Sequence, residues 1–182
     1  LGILYVRKGR GATIGLGLAV TFWTAQGLGI LIKGPMVPLV SLLTVIGLII
    51  IDRKVSYLRA LRPALGIVWM AALISPWAIA VSLATKGAFF TDAVRSDLLP
   101  KLISGHEGHG FPPGFYLLLV TLTFWPGSLF LWPALRRAWR QRTSAGERFC
   151  LAWIVPTWLF LELIPTKLLH YVLPTYPALA LL

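Results

Sequence analysis

Long hydrophobic runs alternate with short basic segments along this chain, and each run is close to the length of a helix that crosses a bilayer. The runs that predict complete spans are 11–32, 34–51, 64–84, 114–135 and 149–164, and a truncated sixth follows at 168–182. Lipid offers no partner to exposed backbone groups, so such runs are expected to be helical. The pattern therefore predicts an all-α polytopic transmembrane helix bundle that forms one domain over residues 1–182.

Composition agrees with an integral membrane protein. Hydrophobic residues make up 57% of the chain, and charged residues make up 13%, against roughly 25% in an average soluble domain. The mean hydropathy is +0.79. Because the sequence starts at Leu1 and stops at Leu182 inside an apolar run, we expect it to be a fragment of a longer polypeptide.

The net charge of +11 does not indicate a nucleic-acid partner, because the cations lie in short clusters between apolar runs rather than along one polar face. Lys and Arg near short loops are retained on the cytoplasmic side. Most of them flank three segments, which lie near Arg7, Arg59 and Arg140. The remaining cations are Lys33, Lys86, Arg95, Lys101 and Lys167. We therefore predict that these five lie together on the outer face, with membrane lipids around the spans.

The outer loop, 85–113, is predicted to contain two different parts. Apolar residues recur at helical spacing from Phe89 to Leu102, which predicts a short amphipathic helix on the membrane surface. The following His106-Glu107-Gly108-His109 has enough ligands for a divalent metal such as zinc. The neighbouring glycines fix no helical geometry, so an acceptor-facing loop without metal is the favoured alternative, and no other cofactor is indicated.

The final segment, from Pro165 to Pro177, places Lys167, His170, Tyr171 and Tyr176 between hydrophobic runs. A cation, an imidazole and phenols at a membrane boundary are suited to hold an anionic lipid headgroup. The alternative for each lysine is that its ammonium snorkels to lipid headgroups.

Several motifs together resemble one family. Ile32-Lys33-Gly34-Pro35, Pro76-Trp77, Phe89-Phe90, Pro112-Pro113-Gly114-Phe115-Tyr116, Trp125-Pro126 and Lys167...His170-Tyr171...Pro174...Tyr176-Pro177 occur in this order over nearly the whole chain. This order resembles bacterial membrane glycosyltransferases of the 4-amino-4-deoxy-L-arabinose transferase and protein mannosyltransferase type. The last motif is the most specific of the set.

The resemblance implies a C-type glycosyltransferase fold and an enzyme that moves a sugar from a polyprenyl-phosphate carrier to a lipid, glycan or protein acceptor. It places the enzyme in the bacterial inner membrane with a periplasmic active face, and lipid A modification is one activity of the family. The family's catalytic Asp lies in a first outer loop that this chain does not contain. We therefore expect no catalytic base here, and the fragment alone is expected to be inactive.

The cations on the outer face are the candidates to hold the donor phosphate, because negative charge accumulates there during transfer. They are Lys33, Lys167, His170, Arg95 and Lys101. Tyr171, Tyr176 and Tyr116 are the candidates to line the substrate groove. The alternative function is a membrane transporter or lipid flippase, which would also need several spans and outer cations.

Overall fold

The computed structural model describes residues 1–9, 15–53, 56–98 and 111–182, and the long elements in these ranges are helices. The α-helices are α1 Gly2–Gly9, α2 Leu16–Lys33, α3 Met36–Asp52, α4 Ser56–Ala60, α5 Pro63–Ala84, α6 Ala88–Asp92, α7 Phe115–Thr123, α8 Leu131–Arg140, α9 Ala145–Leu163 and α10 Tyr176–Leu181. A π-helix, Ala93–Leu98, follows α6, and 3₁₀ helices occupy Gly127–Phe130 and Leu169–Thr175. The predicted all-α class is confirmed.

Two of the described helices, α2 and α5, are long and apolar enough to cross a membrane. A third span is obtained if α7 and the segment Gly127–Arg140 are taken as one bent unit, and α3 is a shorter apolar helix. Five complete spans and a truncated sixth therefore stay a prediction.

The run predicted as one span over 114–135 is not one straight helix. Helix α7 ends at Thr123, and the segment that begins at Gly127 turns from it by 117°. Pro126 lies in the break, where it cannot donate the backbone hydrogen bond that a continuing helix requires. The hydrophobicity of the run predicted burial in lipid but not this change of direction.

Helices α3 and α9 form the most extensive contact between the described helices and run antiparallel. Gly47 of α3 lies against the α9 backbone, where an added Cβ would be 2.8 Å from the carbonyl oxygen of Ala152. The missing side chain is what lets the two backbones approach so closely. Helix α2 packs on both α3 and α5, so these four helices form the body of the bundle.

The antiparallel pair gives the bundle two ends. At the Asp52 end, the last residue of α3 accepts hydrogen bonds from Tyr5 of α1 and Arg148 of α9. At the Lys33 end, Met36 at the start of α3 packs on a buried cluster of Tyr116, Leu161 and Val172. Arg148, which was predicted inside, and Lys167, which was predicted outside, thus lie at opposite ends of α9.

The last described segment is only partly α-helical. A 3₁₀ helix, Leu169–Thr175, contains Pro174 and leads into α10. The predicted truncated span at 168–182 therefore begins as a tight 3₁₀ turn at the Lys33 end. In the outer loop, Phe89 and Phe90 of α6 each pack edge-to-face on Trp77 of α5, which supports helical structure at the start of the predicted amphipathic segment.

Candidate functional site

Lys167 is almost completely buried at the Lys33 end, with 2% of its surface exposed. Its Nζ donates hydrogen bonds to the carbonyl oxygens of Glu162 at 2.7 Å, Ile164 at 2.9 Å and Leu161 at 3.4 Å. The last carbonyls of a helix have no partner within that helix. The ammonium of Lys167 therefore caps the C-terminus of α9, where a positive charge is also favoured by the helix dipole.

Glu162 completes this arrangement. Its Oε2 lies 3.6 Å from Nζ of Lys167, so the two side chains form a buried ion pair. The same carboxylate accepts the backbone N–H of Gly114 at Oε2 and of Tyr116 at Oε1, each at 2.9 Å. These donors belong to the N-terminus of α7, which is where a helix favours a negative charge. One carboxylate thus joins the end of α9 to the start of α7.

Gly114 is the residue that lets the chain enter α7 at this carboxylate. Its φ of +99° lies in the left-handed region, which a residue with a Cβ rarely adopts. The turn directs the N–H groups of Gly114 and Tyr116 towards Glu162. The C-terminal boundary of the outer loop is therefore fixed by backbone geometry as well as by charge.

Tyr116 is fully buried and connects a third segment to this pair. Its hydroxyl donates to the carbonyl oxygen of Leu168 at 3.0 Å, and Nζ of Lys167 lies 5.7 Å from the centre of its ring. Leu168 directly precedes the 3₁₀ helix that carries His170 and Tyr171. The Glu162–Lys167 pair and Tyr116 therefore set the position of that 3₁₀ helix relative to α7 and α9.

Lys33 and His170 are predicted phosphate ligands whose side chains are both exposed. Lys33 is the last residue of α2, and His170 lies on the 3₁₀ helix Leu169–Thr175. Lys33 supplies a positive charge, and the imidazole of His170 supplies a hydrogen-bond donor. The two residues therefore have the chemistry and the exposure that a phosphate ligand requires.

The tyrosines predicted to line a groove lie in different environments. The Tyr171 ring packs edge-to-face on His170 with the ring centres 5.1 Å apart, and it borders the cluster around Tyr116. Tyr176 lies farther along, where its hydroxyl hydrogen-bonds with Thr123 and its ring packs on Phe124. Tyr116 is enclosed by protein, so Tyr171 is the one of the three beside the Lys33 and His170 pair. The groove role of these tyrosines stays a prediction.

Arg95 is exposed on the π-helix, which packs on α6. Lys101 and the candidate metal ligands His106, Glu107 and His109 lie outside the described residues. The role of Lys101 at the donor phosphate and the metal site therefore stay predictions. Among residues 1–9, 15–53, 56–98 and 111–182, His, Cys, Asp and Glu form no group of three that is suited to a metal.

A cavity of about 1090 Å³ lies between α1, α2, α3 and α9. Its lining is mostly apolar, and Gln26 is a polar exception whose Nε2 donates to Oγ of Ser41 at 3.0 Å. Pro174 belongs to the lining, whereas Tyr171 and Tyr176 do not. The cavity is thus separate from the exposed Lys33 and His170 pair.

Glu162 is the residue of this site that sequence reasoning missed. Its partner Gly114 is 48 positions away in the sequence, so no local pattern joins the two residues. The available signal was local: a Glu in the last turn of an apolar run is followed five residues later by a Lys. A charge of each sign at such a boundary predicts a pair, because either one buried alone is costly.

Comparison with known proteins connects this geometry to a family of transferases. The chain is 32% identical over 162 residues to the undecaprenyl phosphate-alpha-4-amino-4-deoxy-L-arabinose arabinosyl transferase of Aeromonas salmonicida, and 30% identical over 159 residues to that of Pectobacterium carotovorum subsp. carotovorum. The alignments cover 88% and 87% of this chain. They cover 29% and 28% of the relatives, so the chain spans less than a third of their length.

The fold of this chain is also similar to that of a transferase of this kind. The crystal structure of ArnT from Cupriavidus metallidurans bound to undecaprenyl phosphate is similar to this chain with a TM-score of 0.79 and 25% sequence identity. The similarity covers 91% of this chain and 30% of the crystallised one. No family model matches the sequence. The resemblance that the ordered motifs indicated is therefore confirmed by sequence and by structure.

Proposed function

We propose that this chain, a segment of the aminoarabinose transferase type of membrane glycosyltransferase, forms part of the site that binds a polyprenyl-phosphate-linked sugar. The whole enzyme then transfers the sugar to a lipid acceptor such as lipid A, with other glycans or proteins as further acceptor classes. The observation that carries this proposal is the structural similarity, over 91% of this chain, to a transferase bound to undecaprenyl phosphate.

Lys33 and His170 are the residues that we assign to the donor phosphate. Both are exposed, and Tyr171 packs beside His170. The phosphate gains negative charge as its bond to the sugar breaks, so the fixed charge of Lys33 and a hydrogen bond from His170 stabilise the transition state more than the ground state. Arg95 and Lys101 remain proposed contributors from the outer loop.

Lys167 contributes to the same site in a different way. Its ammonium already faces the carboxylate of Glu162 and three carbonyl oxygens, and 2% of the residue is exposed. Direct binding of a phosphate would require these contacts to be replaced. We therefore assign Lys167 a positioning role, in which it holds the segment that carries His170 and Tyr171.

The membrane and the face of the membrane are part of the proposal. The sequence predicts fewer cations on the side of Lys33 than on the side of Arg59 and Arg140, and the positive-inside rule assigns the more basic side to the cytoplasm. This supports an enzyme of the bacterial inner membrane with its active face in the periplasm. The catalytic base is proposed to come from another part of the longer enzyme.

The test is sugar transfer by the full-length enzyme from radiolabelled undecaprenyl-phosphate aminoarabinose to lipid A. Lys33→Gln and His170→Ala are expected to lower kcat/KM tenfold or more, which corresponds to about 1.4 kcal/mol of transition-state stabilisation. Lys86→Gln is the matched control, because Lys86 is an exposed cation predicted on the same face after α5. This control is expected to keep wild-type activity.

Two results would contradict the proposal. If the wild-type enzyme transfers no sugar from polyprenyl-phosphate donors, a transporter or flippase becomes the better explanation of the fold. If Lys33→Gln, His170→Ala and Lys86→Gln all retain wild-type kcat/KM, the donor phosphate binds elsewhere.

A further inference from the structure

Helix α8 has two chemically different sides. Successive residues of a helix advance by about 100° around its axis. Leu131, Leu135 and Ala138 therefore share one side, and Arg136 and Arg140 share the opposite one. Ala138 is fully buried against the protein, so the apolar side faces the bundle and the arginines point away from it. The arginines and the flanking residues are therefore the part of α8 that is free to face lipid headgroups.

The orientation of α8 agrees with a position at the membrane surface. The segment Gly127–Arg140 turns by 117° from the direction of α7, so α8 does not continue α7 across the bundle. Nη2 of Arg137 lies 3.1 Å from Oε1 of Glu147 in the first turn of α9. This ion pair holds α8 at the Asp52 end, where Arg148 of α9 meets Asp52.

Two tryptophans lie on the flank between the apolar and the basic sides. Trp132 is 76% exposed and Trp139 is 64% exposed, and the guanidinium of Arg142 lies 4.9 Å from the centre of the Trp139 ring. Indole rings concentrate at the level of lipid headgroups, and guanidinium groups bind phosphate oxygens in a bidentate manner. A surface that alternates exposed indoles and exposed guanidinium groups fits the boundary between acyl chains and headgroup phosphates.

Charge decides which lipids such a surface binds. Arg137 is paired with Glu147, whereas Arg136, Arg140 and Arg142 are exposed. Basic side chains on an amphipathic helix attract anionic lipids in the leaflet that they face. We propose that α8 lies in the membrane plane at the Asp52 end, and that Arg136, Arg140 and Arg142 bind the headgroup phosphates of anionic phospholipids. This surface lies at the opposite end of the bundle from the proposed donor site and does not depend on it.

The first test measures lipid binding by the full-length protein in nanodiscs of mixed phosphatidylcholine and phosphatidylglycerol. A fluorophore on Gln141→Cys, in a background in which Cys150 and any cysteine elsewhere in the full-length protein are replaced by Ala, reports contact with headgroup-labelled phosphatidylglycerol or phosphatidylcholine. We expect quenching to prefer phosphatidylglycerol. The triple variant Arg136→Gln/Arg140→Gln/Arg142→Gln is expected to lose this preference, by about fivefold for each arginine at low salt.

The matched control is Arg53→Gln/Arg59→Gln/Arg62→Gln, which removes the same charge from exposed residues in and on both sides of α4, on the same predicted side of the membrane. It is expected to keep the preference. The proposal is overturned if the two triple variants behave alike, since the effect would then be one of total charge. It is also overturned if the α8 variant keeps the wild-type preference.

A second measurement does not require the triple variant to fold. A nitroxide on Trp132→Cys, in the same cysteine-free background, reports its depth in the bilayer by its collision rates with oxygen and with a water-soluble nickel complex, because Trp132 lies on the exposed flank of α8. The proposal predicts a position at the headgroup and acyl-chain boundary. A nitroxide at the centre of the bilayer would show that α8 crosses the membrane, which would overturn the proposal.

Discussion

The two ends of the bundle each join neighbouring helices through an ion pair with α9, but the two pairs differ in burial. At the Lys33 end, 1% of the Lys167 side chain and 11% of the Glu162 side chain are exposed. At the Asp52 end, 31% of the Arg148 side chain and 13% of the Asp52 side chain are exposed. The pair at the Lys33 end is therefore the less hydrated one.

The difference in burial gives the pairs different roles. A pair that retains water contributes little stability and is screened by salt, whereas a buried pair becomes costly when one partner is removed. At the Lys33 end, the buried pair fixes three chain segments while Lys33 and His170 remain exposed nearby. Under the proposed function, the buried cation of this end therefore supports the site, and the exposed cations contact substrate.

Lys167→Met is expected to have the largest effect on stability. It leaves the carboxylate of Glu162 buried without its cation and removes the cap of α9, at a cost of about 3–5 kcal/mol. Thermal unfolding of the full-length protein in detergent measures the loss. The double variant Lys167→Met/Glu162→Gln is expected to be more stable than Lys167→Met, because the neutral amide is no longer an unpaired charge and can still accept a hydrogen bond from the α7 backbone. If the double variant is no more stable than the single one, the ion pair is not the cause.

Gly47→Ala tests the contact that links the two ends. The new Cβ would lie 2.8 Å from the carbonyl oxygen of Ala152, so α3 and α9 must move apart, at a cost of about 1–3 kcal/mol. Gly17→Ala in α2 is the control, because its Cβ would meet nothing within 4 Å. The control is expected to be neutral or slightly stabilising in the same thermal measurement. Equal losses in both variants would contradict the close approach of these two helices.

Tyr116→Phe is expected to cost about 1–2 kcal/mol, because the buried carbonyl of Leu168 loses its donor. The same change should lower kcat/KM if this hydrogen bond positions His170. Tyr57→Phe, at the other end, removes a longer hydrogen bond of 3.5 Å and serves as the control for both measurements. A Tyr116→Phe enzyme with reduced stability but unchanged kcat/KM would limit Tyr116 to a structural role.

The sequence predicts the apolar helices of this fold well because their physical cause is local. Hydrophobic length alone predicts runs over 34–51 and 64–84, and α3 and α5 match them to within two residues, while α2 begins at Leu16 within the predicted run 11–32. The break after Thr123 was not predicted, because the residues on both sides of Pro126 are as apolar as the rest of the run. The direction of the chain after this break depends on the backbone conformation of one or two residues, and hydrophobicity does not encode that conformation.

The candidate site was predictable only in part for a related reason. Lys33 and His170 were identified by residue type at a membrane boundary, and both are exposed in the structure, while their role at the donor phosphate stays a prediction. The burial of Lys167 depends on its contact with Glu162, and the role of Glu162 depends on the distant start of α7. Snorkelling to lipid and capping a helix are both open to a lysine in this position, and only the tertiary contacts distinguish them.

Arg148→Gln is expected to have the smallest effect and to depend on salt. Asp52 keeps the hydrogen bond from Tyr5, and Arg148 is partly hydrated, so the loss should be about 1 kcal/mol at low ionic strength. Raising the salt concentration should reduce the difference between the variant and the wild type, because a pair with access to water is screened. The Lys167→Met variant, measured in parallel, should keep its full difference from the wild type at high salt. If salt changes both differences equally, the two ends do not differ in burial as the structure indicates.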